Sequence, residues 1–239
     1  MDFCTHVRRF PAPHRPHVLN RYPITILSPS LSYHTREKPM QINVTEYEPH
    51  LLDYVRKHGY KVFTTGDYNL NIIGVRNLAS KRSDLFDDKI YIIFKKNGAW
   101  HEYIAPITTD PGRYYLTATD YRQDGVAIMV HPQQCLGAYK IGPHGRTRYT
   151  ALRQEKPIMI WRDNNHDEHL DYDSTIYEGI FHINIHRSST HPNGTKIVHK
   201  WSAGCQVFQH IDDFDIFMSL CYKAKEIYGD SFTYTLLAQ

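Results

Sequence analysis

The 239-residue sequence predicts a mostly β fold with two or three helices. Three observations carry this. Short β-branched or alternating apolar stretches recur from residue 69 to residue 162, turn dipeptides such as Asn97-Gly98 separate them, and helical spacing is confined to two segments near the ends of the ordinary sequence.

Residues 1–39 stand apart, with Pro11, Pro13, Pro16, Pro23, Pro29 and Pro39 set among His and Arg. Proline fixes φ and removes a donor, so an extended N-terminal arm is expected, a plain leader rather than a basic tether. Residues 40–239 form the predicted domain. Its first helix spans 46–58: Pro49 suits an early helical position, Leu51, Leu52 and Val55 make an apolar face, and Gly59 is a stop. Strands are predicted over 69–76, 89–95, 100–109, 126–130, 136–141 and 157–162, with Asn97-Gly98 closing a hairpin and Asp110-Pro111-Gly112 a turn. A strand over 181–189 places Phe181, Ile183 and Ile185 on one face and His182, Asn184 and His186 on the other. The turn residues His191-Pro192-Asn193-Gly194-Thr195 follow, and 196–201 is expected to return antiparallel. A helix opens with Asp212 as N-cap and Asp215 in its first turn and closes at Gly229; 231–237 alternates as a final strand.

Charged residues at 22% and apolar ones at 41% are those of an ordinary globular chain, and a net charge of +3 is too small to argue for nucleic acid. No apolar run is long enough to span a membrane, and no secretory signal is visible. The four cysteines lack metal-ligand spacing or a disulfide framework. Cys221 shares a helical stripe with Phe214, Phe217 and Met218 and reads as a core thiol, while Cys135 is expected near a turn with no base beside it. The polar run Asn164-Asn165-His166-Asp167-Glu168-His169-Leu170-Asp171 reads as a solvated loop rather than a metal site. His182 and His186 do not read as a zinc pair either, because four residues of strand span about 13 Å. No metal and no cofactor are expected.

Only Cys205 has a chemical context. In Trp201-Ser202-Ala203-Gly204-Cys205-Gln206-Val207-Phe208 it follows small residues that let backbone donors approach a reacting carbonyl, and His186 supplies a base at the end of a strand. A histidine closing a strand, separated by eighteen residues from the cysteine of Ser-x-Gly-Cys, resembles the signature of the L,D-transpeptidase catalytic-domain family. The segment Pro106-Ile107-Thr108-Thr109-Asp110-Pro111-Gly112-Arg113-Tyr114 is similar to the Thr-Pro-x-Gly-x-aromatic stretch that precedes the active site there. The chain departs from the family in carrying Ala203 where His is usual and Val207 where Arg or Asn is common.

The resemblance implies a β-sandwich-like fold and a cysteine enzyme acting on peptidoglycan stem peptides through a thioester, by transfer or by hydrolysis. It makes Cys205 the nucleophile, His186 the base, and Ser202 and Gly204 the shaping residues of the loop, with backbone N–H groups around Gly204 and Cys205 holding the oxyanion. Arg187 and Lys200 are candidates for the substrate carboxylates, Trp201 for a wall of the cleft, and His182 and Asn184 for its lining. Such an enzyme acts at the cell wall or periplasm, reached through a lysis pore, a phage particle or a secretion machine, and a phage endolysin fits best. Two alternatives stand beside it: an inactive virion structural or wall-binding relative, and a metal-dependent hydrolase that uses the histidines.

Overall fold

A computed structural model of the chain describes residues 42–80, 82–172 and 175–239; the arm predicted over 1–39 lies outside them. The elements follow in the order β1 (Asn43–Thr45), α1 (His50–Lys57), β2 (Asn71–Arg76), β3 (Asp88–Lys96), β4 (Ala99–Thr108) and α2 (Arg113–Leu116). Next come β5 (Val126–Met129), β6 (Gln133–His144), β7 (Tyr149–Gln154), β8 (Ile158–Asp163) and β9 (Tyr177–Gly179). The chain closes with β10 (Ile185–Arg187), β11 (Gln206–Phe208), α3 (Ile211–Tyr228) and β12 (Phe232–Ala238). The described residues are therefore mostly β, with three helices.

Eight strands close on themselves in the order β4-β11-β10-β7-β6-β12-β2-β3, because β3 also pairs along β4 from Asp88↔Ile107 to Lys96↔Ala99. Asn97-Gly98 makes that hairpin as expected: both residues have positive φ, 51° and 82°, the backbone a two-residue turn requires. β1 adds to β4 outside the barrel, and β5-β8-β9 form a separate sheet. Alternation explains the layers. In β3, Ile90, Ile92 and Phe94 join the main core, whereas Ile93 packs with Ile73, Val75, Trp100 and Leu237 against Leu52 and Val55 of α1. The apolar stripe of α3 (Phe214, Phe217, Met218, Leu220, Cys221, Ala224) lies in the main core with Tyr103, Leu152, Ile185, Phe208 and Tyr234. Each Phe, Leu, Ile or Met among them, fully buried, contributes about 1.5–3 kcal/mol.

Several boundaries differ from the sequence reading. Pro49 is the extended N-cap of α1, at φ −61° and ψ 130°, so the helix starts at His50 rather than at 46. His210 caps α3 without a side-chain bond, and Asp212, expected as the cap, sits in the first turn with Asp213. Asp213 is drawn instead to Tyr103, whose hydroxyl donates to it at 2.6 Å. The strand expected over 136–141 runs from Gln133 to His144 and forms a hairpin with β7, which the sequence reading lacks; Cys135 thus lies inside a strand, not near a turn. Burial pushes its thiol up to about 12. Cys221 is fully buried, as expected for a core thiol.

The expected strand over 181–189 shrinks to Ile185–Arg187. Upstream, a side chain replaces the neighbouring strand: Gln154 Oε1 accepts from the N–H groups of both Phe181 and Ile183 at 3.0 Å, and His182 takes φ 60°. The return strand expected over 196–201 does not form. β10 and β11 lie side by side but parallel, Ile185↔Gln206 to Arg187↔Phe208, so the intervening chain is a crossover rather than a hairpin.

Candidate active site

Parallel pairing of β10 with β11 is what brings the histidine and cysteine segments together. Carried back by one residue, the register sets Asn184 beside Cys205, and two hydrogen bonds fix this: Gln206 N–H donates to the Asn184 carbonyl at 2.9 Å, and Asn184 N–H points at Cys205 Sγ at 3.4 Å. His186 follows two residues along the same strand, about 6–7 Å further on. The thiol itself points toward the carbonyl of His182, 3.5 Å away. Among the described residues no direct hydrogen bond joins Sγ to the His186 ring.

The loop ahead of Cys205 is pinned peptide by peptide. Ser202, fully buried, accepts from Gly204 N–H at 3.1 Å and donates to the Cys205 carbonyl at 2.8 Å. Gln206 donates to the Gly204 carbonyl at 3.4 Å and accepts from Tyr234 at 2.7 Å, which ties the loop to the barrel interior. Gly204 has φ 115°, and a Cβ there would stand 2.3 Å from the Ala127 carbonyl oxygen, so only glycine lets β5 approach so closely. One expectation is corrected here: of the two N–H groups expected to meet the oxyanion, that of Gly204 is bonded to Ser202 Oγ, which leaves that of Cys205. The Pro106–Tyr114 segment adjoins the same loop. Ile107 and Thr108 pair with Phe208 and Val207, and Gly112 N–H donates to the Ser202 carbonyl at 2.9 Å.

His186 is buried, and its environment fixes which nitrogen carries the proton. Nδ1 lies 2.8 Å from the Arg187 carbonyl, an acceptor only, so Nδ1–H donates there and Nε2 is the lone-pair nitrogen. Tyr149 donates to the same carbonyl at 3.2 Å and stands 3.3 Å from Nδ1. His144 stacks on the His186 ring with centroids 4.2 Å apart and planes 24° apart. Burial, then the neighbouring His144 and Arg187, push His186 down to about 3, against the pull of its bond to the Arg187 carbonyl. Burial pushes Cys205 up to about 11, partly offset by Asn184 N–H. Both shifts favour a neutral thiol and a neutral imidazole over a thiolate–imidazolium pair.

The other expected site residues are distributed unevenly. Asn184 is buried and occupied: its Oδ1 accepts from Gln154 N–H at 3.0 Å and its Nδ2 lies 3.3 Å from His144 Nδ1, so it braces the site rather than lining a cleft. Arg187 lies over the Tyr149 ring at 4.0 Å, donates to the Ser188 carbonyl and faces Asp215 of α3. Lys200 is exposed, with Nζ 4.1 Å from the Tyr114 ring centre. His182 is exposed and contributes its carbonyl. Trp201 is 42% exposed, so packing in the core is not its role. Val207, at the position where the family commonly has Arg or Asn, is fully buried beside His186.

Residues that the sequence reading missed include His144, Tyr149, Gln154, Gln206 and Arg162. Arg162 stands opposite Ala127, the residue against which Gly204 packs; it donates to the Gly125 carbonyl at 3.0 Å and pairs with Asp124 at 3.3 Å. Tyr115 and Tyr121, with rings 4.6 Å apart, lie within electrostatic reach of Cys205. Behind β4, the fully buried Arg76 donates to the Thr109 carbonyl and hydroxyl and the Met129 carbonyl, and pairs with Asp110 at 3.1 Å. Asp88 accepts from Thr109 N–H at 2.6 Å and is pushed up to about 7 by burial and by Asp110.

In the 164–171 loop, Asn165 donates to Asp167 and Asp171, and Asp167 accepts from His169 N–H. Among the described residues no group of three or more His, Cys, Asp or Glu side chains is arranged to hold a metal ion. None of their helices is long and apolar enough to cross a membrane. No protein-family model, curated protein or solved structure matches the chain.

Proposed function

We propose that the chain is a cysteine acyl-transfer enzyme of the L,D-transpeptidase type, acting on carbonyls of peptidoglycan stem peptides at the cell wall. The observation that carries this reading is the pairing of β10 with β11, which sets a histidine with an unprotonated Nε2 along the strand beside a cysteine at the end of a pinned small-residue loop. The Ser-x-Gly-Cys resemblance supplies the substrate class. On this reading the barrel and its companion sheet take the place of the β-sandwich of that family.

Chemistry starts from the neutral pair. As Sγ attacks the carbonyl carbon, the S–H proton passes to His186 Nε2, an S–C bond forms, and the oxyanion is met by Cys205 N–H. Collapse breaks the C–N bond, and the leaving amine takes the proton from His186, giving a thioester. An incoming amine or water then attacks the thioester, its proton going to His186 and on to the departing sulfur, which restores the thiol. An amine gives a cross-link and water a cleaved peptide. The aromatic residues Tyr115, Tyr121 and Trp201 and the cation Arg162 are the side chains we assign to the walls of the cleft.

The test is digestion of purified peptidoglycan by wild type and Cys205→Ala, with muropeptides identified by mass. Products present only with the wild type support the cysteine mechanism, and their masses separate transfer from hydrolysis. Identical patterns sink it. The high thiol pKa and the absence of a direct Sγ–His186 bond favour a second reading, an inactive wall-binding relative. That reading expects the same digest to be blank and Cys205 to react no faster than an ordinary thiol.

A further inference from the structure

The sequence holds sixteen histidines, and one outside the recognised motif has a built position in the site. His144 ends β6 and Tyr149 begins β7, and the two are register partners across the hairpin. Both side chains reach His186 on β10: Tyr149 through the Arg187 carbonyl and Nδ1, His144 through a parallel ring stack at 4.2 Å. A short chain of bonds fixes the His144 ring. Gln154 N–H donates to Asn184 Oδ1, so the other end of that amide, Nδ2, donates to His144 Nδ1. The neutral His144 ring therefore carries its proton on Nε2, while His186 carries its own on Nδ1.

We infer that His144 is a positioning residue for His186: stacked flat against it and locked by Asn184, it fixes the plane of the base and keeps Nε2 as the proton-accepting nitrogen. This deepens the proposed function, since it concerns the base of that reaction, but the positioning itself is readable without any substrate. The same lock explains why Asn184 sits between the two segments: one amide braces His144, and the N–H of the same residue faces Cys205. Without the stack the His186 ring is held against turning about χ2, a torsion that for histidine is broad and roughly two-fold, by the Nδ1 bond to the Arg187 carbonyl and by Tyr149, and a flipped ring would exchange Nδ1 and Cδ2.

Among the described residues, the titratable and charged groups that face these two rings come from β7, β10 and α3. Tyr149 on β7 and Arg187 on β10 face His186, Tyr149 and Arg153 on β7 and Arg187 face His144, and Asp215 of α3 faces Arg187. His144 covers one face of the His186 ring, and its removal is expected to open that face to water. The effect follows: with its face solvated, His186 accepts a proton more readily and loses its single tautomer.

The experiment uses the full chain with ¹⁵N-labelled histidine rings, His186 resonances being identified by their loss in His186→Gln. Wild type, His144→Ala and His144→Phe are followed by long-range ¹H–¹⁵N correlation from pH 8 to pH 4.5, and turnover on peptidoglycan is measured in parallel. In the wild type His186 is expected to stay neutral, with Nδ1 protonated, over the whole range. In His144→Ala it shows mixed tautomers and titrates inside the range, and kcat falls about tenfold with KM unchanged, the pattern of a misplaced base. His144→Phe keeps the flat contact and restores the single tautomer. A His186 that is indifferent to His144→Ala in tautomer and titration overturns the inference even if the protein is active. A wild type that is inert on peptidoglycan, with the tautomer change still seen on going to His144→Ala, overturns the proposed function and leaves the positioning role standing. Should His144→Ala not fold, His144→Phe decides: mixed tautomers there overturn the stack as the locking contact.

Discussion

Gly204 and Cys205 show how little freedom a nucleophile has once its backbone is fixed. A Cβ at Gly204 meets the Ala127 carbonyl at 2.3 Å and Ile183 Cδ1 at 3.0 Å, in a conformation that L residues avoid. Gly204→Ala is therefore expected to cost about 2–4 kcal/mol in urea unfolding and to abolish turnover, because the loop must back away from β5. A milder change is Ser202→Ala, which orphans Gly204 N–H in a buried loop at a cost of about 1–3 kcal/mol, read by the same unfolding curves. The protonation states make a separate prediction. With the thiol near 11 and His186 near 3, alkylation of Cys205 by iodoacetamide in the absence of substrate should climb about tenfold per pH unit from pH 7 to pH 10. A plateau from pH 5 to pH 8 would instead reveal a resting ion pair.

Gln154 does for the segment before β10 what a strand does elsewhere. Its Oε1 accepts from Phe181 and Ile183, and its Nε2 donates to the Lys156 and Gly179 carbonyls at 2.9 Å. Gln154→Leu keeps the volume but strands four backbone groups, so a loss of about 3 kcal/mol or more is expected in thermal or urea unfolding, together with a drop in turnover as β10 loosens. This side chain also marks the limit of what the sequence reveals. Strands with strong alternation, such as β3 and β4, are legible within a residue or two because one face must be buried. The two motif segments are legible too, as residue types. Their relation in space is not: alternation over Phe181–Ile185 looks like a strand, and nothing local tells that a glutamine far upstream takes the hydrogen bonds. The β6–β7 hairpin hid for a related reason. Gly142-Pro143 reads as a break, yet both residues continue the ladder, opposite Ala151 and Thr150, and the turn comes after them, where Gly145 and Arg148 have positive φ. With that hairpin went His144 and Tyr149, whose roles depend on contacts across the sheet.

The closed barrel holds its charged groups in a fixed balance, and its stability should follow pH accordingly. His186 near 3 and His131 near 4 are both held neutral chiefly by burial, so the unfolded chain binds more protons than the folded one below about pH 6.5. That contribution is lost as pH falls from about 6.5 toward 3. Asp88, near 7, works the other way: the folded chain keeps a proton that the unfolded chain has lost above about pH 4, so its contribution declines as pH rises through that window to 7. A stability maximum between these limits is expected from unfolding curves taken at each pH. Arg76→Met removes the cation paired with Asp110 and should cost about 3–5 kcal/mol, more at pH 8 than at pH 5, where the carboxylates left behind take up protons. A cost independent of pH would show that the guanidinium acts through its carbonyl bonds alone. The parallel join of β10 to β11 has a consequence of another kind. Each strand is anchored by its own outer neighbour, β10 by β7 and β11 by β4, and the loop before Cys205 is pinned separately, so the exposed turn at 191–193 joins the two in sequence without holding them in register. That turn alone is a tether, and a tether can be lengthened or cut. The exposed bond between Pro192 and Asn193 is where the chain should accept an inserted peptide, or new termini, with both halves of the site still in register.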